Sequence, residues 1–278
     1  MIYFLIPTYN EEENIKKLFL SFENILSTTF KSEKVCFIFS DDGSKDNTIN
    51  EINNWFKPFS FVVLKSEVNK GPGSAFNKGF EYILQNSHSD DDIVVTLEAD
   101  GTSDLAILPV MIGINRLGFD LVLASVYAQG GGFDKTTFIR KSISFIANLL
   151  FRFLFNIKVL TLSSFYRVYK ISLLKEIKIK YNNIIEEDGF ICMLEVLIKA
   201  IDLNAKIIEV PMKLRSNQRI GKSKMKLLKT TFHYIRFLIY HRWSGFRKQD
   251  NLQYAIGMFC CCLLSIAYTS YYLKPDFV

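Results

Sequence analysis

Short apolar runs that stop at a polar loop and give way to a helical stretch recur through the first hundred residues, and this alternation limits the fold more than any other feature. Ile2 to Ile6 is stopped by Pro7 and followed by Glu11 to Phe30, where Ile15, Leu18, Phe19, Phe22, Ile25 and Leu26 recur at helical spacing. Val35 to Phe39 ends in Ser40-Asp41-Asp42-Gly43-Ser44 and leads through Asp46 to Ile49, Ile52, Trp55 and Phe56. Phe61 to Leu64 reads as a third strand, Gly71 to Leu84 as a helix that starts at glycine, and Ile93 to Leu97 as a fourth strand running into Glu98-Ala99-Asp100-Gly101. Apolar strands separated by helices predict an α/β fold with a mostly parallel central sheet covered on both faces. Ligands of such sheets bind beyond the carboxyl ends of the strands, so the loops after Ile6, Phe39 and Leu97 are expected to share one crevice.

Farther along, Leu105 to Leu117 reads as a helix, Leu121 to Ser125 as a strand, Gln129 to Phe133 as a Gly-rich loop, and Leu162 to Ile171 and Ile207 to Val210 as strands. A helix is expected around Phe190 to Ala200. Phe138 to Ile157 is apolar on nearly every side, which suits a core helix or a helix lying in a membrane interface. Tyr254 to Leu273 carries no charge and is long enough to cross a hydrocarbon core of ~30 Å, so a single C-terminal transmembrane helix is expected. Arg242, Arg247 and Lys248 precede it, and the positive-inside tendency assigns the catalytic part to the cytoplasm. Met1 to Pro7 has no basic leader and reads as a strand, not as a signal peptide. The expected organisation is a catalytic domain at 1–212, a basic lid and juxtamembrane segment at 213–250, and a membrane helix and tail at 251–278.

Composition enters through charge. The 278 residues carry a formal +6, but residues 1–100 hold 16 acids and 9 bases while the remainder holds 12 acids and 25 bases. Between Lys213 and Lys248 there are eleven Lys or Arg and no acid, a pattern that suits phosphate groups, nucleic acid or anionic lipid. Nucleic acid ranks last, because the bases are confined to the stretch before the apolar segment and the first hundred residues are acidic. A hydrophobic content of 49% with 25 Phe excludes disorder and leaves apolar surface for lipid. Cys36 and Cys192 lie in apolar segments and Cys260, Cys261 and Cys262 in a hydrophobic run, so buried thiols are expected, with S-acylation of the triplet as the alternative. His88, His233 and His241 are assigned no role.

Taken singly, Pro7-Thr8-Tyr9-Asn10-Glu11, Asp41-Asp42-Gly43-Ser44 and Glu98-Ala99-Asp100 are ordinary turns and helix caps. Three acidic loops at strand ends of one sheet are instead a site. Carboxylates spaced as in Glu98-Ala99-Asp100 are hard oxygen ligands suited to Mg²⁺ or Mn²⁺, which bind through one or two carboxylates together with phosphate oxygens. A nucleotide diphosphate fits that chemistry, with an acid at the second strand end accepting hydrogen bonds from a base or ribose.

These loops, with Asn69, Gly71 to Ala75, Ser163-Ser164-Phe165-Tyr166-Arg167-Val168-Tyr169 and Gly221-Lys222-Ser223-Lys224, make residues 1–230 resemble the family-2 inverting glycosyltransferases. The likeness is to the branch of dolichyl-phosphate mannosyltransferase and the bacterial polyprenyl-phosphate sugar transferases. It implies a glycosyltransferase A-type fold, a nucleotide diphosphate sugar as donor, polyprenyl phosphate as acceptor, Mg²⁺ or Mn²⁺, and membrane lipids as surroundings. By the same resemblance Pro7, Tyr9, Glu11 and Asp41 line the nucleotide pocket with Asp42 close by. Glu98 and Asp100 hold the metal, Thr102 stands where a further polar ligand is often found, and Arg140 and Ser144 face donor diphosphate or acceptor phosphate. Arg167 lies beside the acceptor. Read physically, Arg219 and Lys224, near Gly221, fold over a diphosphate as a lid or belong to a belt that binds anionic lipid, the role favoured for Arg236, Arg242, Arg247 and Lys248.

The chain departs from the pattern at Glu98, where Asp is usual, at Val126, where Arg is frequent, and at Ser164, where Gly is frequent. Arg215 and Arg219 both precede the final basic motif, and either suits the phosphate role. Glu186-Glu187-Asp188 is an acidic cap for the next helix or the source of a general base, Glu187 or Asp188, which a saccharide acceptor requires and a phosphate acceptor does not. A catalytically weak, membrane-bound sugar-nucleotide binder is the remaining alternative.

Overall fold

The computed structural model describes residues 1–134, 148–149, 152–153 and 157–220. Arg140, Ser144, Lys224, the basic belt beyond residue 220, the cysteine triplet and the expected transmembrane helix lie outside the described residues. Contacts divide the chain into two units, Met1–Thr136 with Val159–Ile235, and Thr137–Lys158 with Arg236–Val278. The first unit carries the sheet and the side chains of the candidate site described below.

Its strands are β1 (Ile2–Thr8), β2 (Val35–Asp41), β3 (Phe61–Lys65), β4 (Ile93–Thr96), β5 (Leu121–Ser125), β6 (Gly132–Phe133), β7 (Arg167–Lys170), β8 (Ile207–Pro211) and β9 (Lys213–Leu214). Its α-helices are α1 (Glu12–Thr28), α2 (Thr48–Trp55), α3 (Pro72–Asn86), α4 (Leu108–Arg116), α5 (Ile171–Tyr181) and α6 (Cys192–Asp202). Among the described residues the main sheet has seven strands in the order β3-β2-β1-β4-β7-β5-β8. All neighbours are parallel except β7, which runs antiparallel between β4 and β5. The expected mostly parallel sheet is therefore present.

Strand β1 pairs with β2 on one side, Thr8 opposite Asp41, and with β4 on the other, Leu5 opposite Thr96. The chain direction across the sheet reverses between β1 and β4, and such a switch point opens a crevice at the carboxyl ends. The loops after β2 and β4 are separated by two strand spacings, about 10 Å, with the loop after β1 between them.

The core explains the phenylalanine content. One face of α1 buries Ile15, Leu18, Phe19, Phe22, Ile25 and Leu26 against the sheet. There Phe4 lies 4.9 Å from Phe22 and 5.0 Å from Phe37, and Phe39 lies 4.7 Å from Phe56. Much of the aromatic surplus expected to face lipid is thus interior packing, at offset and edge-to-face spacings that favour aromatic pairs. The helix α5 is an element the sequence reading passed over; it buries Ile171, Leu173, Leu174 and Ile177.

Phe37 is fully buried and touches five other rings. Phe37→Ala is expected to lower unfolding stability by about 3–5 kcal/mol in urea titrations, since the cavity lies between sheet and helix and closes poorly.

Candidate active site

The loops after β1 and β2 are tied to each other. Asn10 takes a left-handed backbone, φ 52°, which Asn tolerates better than other side chains. Its N–H donates to Ser44 Oγ at 2.9 Å, and its Oδ1 accepts from the Lys45 N–H at 2.8 Å. The Glu11 N–H donates to Thr48 Oγ1 at 2.7 Å, and Glu12 Oε2 accepts from the Asn47 N–H at 2.9 Å. Pro7, Tyr9 and Glu11 are half-buried along this seam.

Asp41 is fully buried. Its Oδ1 accepts from the hydroxyls of Ser44, at 2.5 Å, and Thr8, at 3.3 Å, while Oδ2 accepts from the Ser44 N–H at 3.0 Å. Gly43 makes that turn possible: its φ is +77°, and a Cβ there would sit 3.0 Å from the Asn69 nitrogen. Asp42 points the other way and accepts from the N–H groups of Lys70 and Gly71 at 2.9 and 2.8 Å. Burial raises its pKa above the ordinary carboxylate value, the two backbone donors oppose this, and Asp41 and Asp188 add to it. Asp42 is thus a clamp on the entry to α3, so it shapes that side of the crevice through the backbone it holds.

At the end of β4, Thr102 donates from its N–H and its hydroxyl to Asp100 Oδ1, at 3.0 and 2.7 Å, and its hydroxyl lies 3.5 Å from Glu98 Oε2. Thr102 orients the acids here as a donor. Arg219 enters from the chain after β9: its Nε lies 2.5 Å from Asp100 Oδ2, its Nη2 also contacts that oxygen, and Nη2 lies 3.7 Å from Glu98 Oε1. Burial and the Asp100 charge raise the Glu98 pKa, Arg219 opposes this, and the charge of Glu11 adds to it, so Glu11 belongs to the same electrostatic site.

Arg215 does not share this position. It forms an ion pair with Asp104 at 3.0 Å, and of the two arginines Arg219 alone reaches the acid pair.

Arg167 is a correction. The resemblance sets it beside the acceptor, whereas the structure buries it completely, with Nε donating to the Ser164 carbonyl, Nη1 to Met193 and Nη2 to Leu162, each at 2.7 Å. A guanidinium with every nitrogen engaged by backbone carbonyls holds β7, the preceding loop and α6 together instead of facing a phosphate. Val126 packs against the hydrophobic core in the place where a cation was sought.

Glu186-Glu187-Asp188 is not the cap of α6, which starts four residues later with Ile191 at its N-cap. The segment docks on the start of α3 instead: the Gly73 N–H donates to the Asp188 carbonyl at 2.7 Å. A Cβ on Gly71 would lie 2.4 Å from that carbonyl oxygen and one on Gly73 1.9 Å from the Glu187 carbonyl oxygen, so both positions need glycine for close approach. Glu195 holds the segment from behind, accepting from the Glu186 and Glu187 N–H groups at 2.9 and 3.0 Å. Lys199, 2.7 Å from Glu195, donates to the carbonyls of Asn183 and Ile184. The sequence reading missed this pair, because an acid and a base four apart on a helix ordinarily mark a surface.

Two carboxylates from one loop, a third acid nearby and a guanidinium drawn from a distant segment now share the crevice. Among the described residues there is no cluster of three or more acid, His or Cys side chains arranged around one point, so any metal held here would draw further oxygens from its ligand. The family model for glycosyl transferase family 2 matches residues 3–178. The chain belongs to this family. It is a glycosyltransferase.

This glycosyltransferase is 31% identical over 248 residues to a dolichol-phosphate mannosyltransferase of Pyrococcus furiosus, an alignment covering 87% of this chain and 64% of that protein, less than two thirds of the relative's length. It is 26% identical over 223 residues to a polyprenol monophosphomannose synthase of Mycolicibacterium smegmatis, covering 80% of this chain and 79% of that one. An undecaprenyl-phosphate mannosyltransferase of Micrococcus luteus is 27% identical over 256 residues, covering 89% and 98%. A crystal structure of glucosyl-3-phosphoglycerate synthase from Mycobacterium tuberculosis, in complex with Mn²⁺ and UDP-glucose, superposes with a TM-score of 0.62 at 18% identity, covering 86% of this chain and 78% of that chain. That likeness shows the fold, which is the glycosyltransferase A type expected from the sequence.

Glu195→Ala leaves a buried Lys199 charge and two backbone donors without their acceptor, and is expected to cost about 3–5 kcal/mol in chemical unfolding. The double variant Glu195→Leu with Lys199→Met removes both charges together and is expected to lose markedly less.

Proposed function

We propose that this family 2 glycosyltransferase moves a sugar from a nucleotide diphosphate to a polyprenyl phosphate, by a single in-line displacement with inversion at the cytoplasmic face of a membrane. The observation that carries the reading is the meeting of Glu98, Asp100 and Arg219 at the carboxyl edge of the sheet beside the loops of Asp41 and Glu11. The names of the relatives supply the acceptor class.

The donor set of Glu98 and Asp100, both hard carboxylates with Thr102 orienting Asp100, fits Mg²⁺ or Mn²⁺. When bound, such an ion would neutralise charge on the departing diphosphate. Glu11 faces the nucleoside part, Asp41 holds the loop beside it from beneath, and Arg219 takes phosphate oxygens. An acceptor phosphate oxygen forms the new bond to the anomeric carbon while the bond from that carbon to the diphosphate breaks, and the electron pair leaves with the nucleoside diphosphate. The nucleophile is already an anion near neutral pH, so the protein's work is positioning and electrostatics.

In this reading residues 1–212 are catalytic, 213–250 form the basic lid and juxtamembrane stretch, and 251–278 anchor the chain. No helix among the described residues is long and apolar enough to cross a membrane, and the anchor rests on the uncharged run from Tyr254 to Leu273. A saccharide acceptor is the second reading, favoured by the seat of Asp188 on the start of α3 beside Asp42, where a carboxylate would serve as base.

Asp100→Asn keeps the side-chain shape and is expected to lower transfer by roughly two to three orders of magnitude while leaving the thermal transition within a few degrees of wild type. Full turnover by this variant refutes the role of the acid pair. With labelled nucleotide sugar and polyprenyl phosphate, the wild-type product is expected in the organic phase; label appearing only in water-soluble saccharide favours the second reading.

A further inference from the structure

Arg219 has two partners to choose between. In the structure its guanidinium is the counter-ion of Asp100 and Glu98, with the Nε to Asp100 Oδ2 distance at 2.5 Å. In the proposed reaction the same group faces a diphosphate. A cation coordinated by Asp100 at the ~2.1 Å typical of Mg²⁺ needs the oxygen that the guanidinium already contacts, and two positive centres on one carboxylate oxygen repel.

The segment that carries Arg219 is laid across the site by replaceable contacts. The Arg215 N–H donates to the Thr102 carbonyl at 3.1 Å, and the Arg215 side chain pairs with Asp104 in a partly exposed ion pair. Lys17 Nζ donates to the Gln218 carbonyl at 2.8 Å. Asn14 brackets Ile220, donating to its carbonyl at 3.3 Å and accepting from its N–H at 3.2 Å. Arg215 and Lys17 are partly exposed and their contacts are exchangeable for hydration, Asn14 is buried, and Ile220 is held against the start of α1 next to Glu11.

We infer that Arg219 is a built-in counter-ion that gates loading of the acid pair, so that a divalent cation binds weakly alone and tightly with a nucleoside diphosphate. The diphosphate gives the displaced guanidinium a new anionic partner, and the two ligands thereby favour each other reciprocally. This rests on the reading of Glu98 and Asp100 as the cation site. It assigns Arg219 a role before chemistry as a positioning residue, separate from its contact with phosphate during transfer.

The test is Mn²⁺ titration of the full chain, following free Mn²⁺ by electron paramagnetic resonance, with and without UDP, for wild type, Arg219→Gln and Arg215→Gln. Arg219→Gln is expected to bind Mn²⁺ alone about tenfold more tightly than wild type and to show a correspondingly smaller gain on adding UDP. Its thermal transition is expected to rise more with Mn²⁺ than that of wild type, a readout that needs no turnover. Arg215→Gln, which loosens the strap and leaves the guanidinium of Arg219 in place, is expected to bind Mn²⁺ within about twofold of wild type. Unchanged Mn²⁺ affinity in Arg219→Gln overturns the inference, and so does an equal gain in Arg215→Gln, which would make the strap and not the guanidinium the gate. If wild type binds no Mn²⁺ even with UDP, the reading of the acid pair itself falls; if it does and Arg219→Gln alone binds no better, only the gating falls.

Discussion

Carboxylates crowded onto one edge of a sheet repel one another and lose water, so each must be given a donor before the crevice can exist. The architecture of this glycosyltransferase answers that demand one acid at a time. Asp41 takes the hydroxyls of Thr8 and Ser44, Asp42 the amides at 70 and 71, Asp100 the amide and hydroxyl of Thr102 with the guanidinium of Arg219, and Glu195 the amides at 186 and 187 with Lys199. Most of these donors are backbone or hydroxyl groups, which orient a carboxylate without cancelling its charge. For these four acids, among the described residues, positive charge comes from Arg219 at the acid pair and from Lys199 behind the 186–188 segment.

This assignment of donors links the parts of the crevice. Asp42 fixes the approach to α3, the start of α3 receives the Asp188 carbonyl, and Glu195 braces the same segment from the far side. The glycines at 43, 71 and 73 belong to the same chain of constraints, since each lets backbone approach backbone where a side chain would intrude. A change at Glu195 therefore reaches the start of α3 through the backbone contacts of the 186–188 segment.

The strands β1, β2, β4 and β5 were legible because they are largely buried on both faces and read as unbroken apolar runs, as does the half-buried edge strand β3, and the acids after β1, β2 and β4 followed from the rule for parallel sheets. The insertion of β7 antiparallel between β4 and β5 was not legible, since pairing partners of a four-residue strand are set by tertiary packing. The helix α5 was hidden by Lys175, Glu176, Lys178 and Lys180, which dilute its apolar face. Arg167 misled for a physical reason: an arginine in a family motif reads as a phosphate ligand, and nothing along the chain says that the carbonyls of Leu162, Ser164 and Met193 converge on it. Glu195 and Lys199 were missed because α6 is buried on every side from Cys192 to Ala200, so its charged pair has no solvent face to mark it.

The extra methylene of Glu98, the departure that most put the site in question, sorts the two acids instead of disabling them. Asp100 is short and its side chain only 6% exposed, so it is committed to Thr102 and Arg219. Glu98 reaches farther out, its side chain 31% exposed and 3.7 Å from the guanidinium, outside strong hydrogen-bonding distance. The shorter acid thus anchors the strap, while the longer one makes looser contacts, 3.5 Å from Oε2 to the Thr102 hydroxyl and 3.7 Å from Oε1 to Arg219, and holds its proton more tightly than usual because of burial and the Asp100 charge.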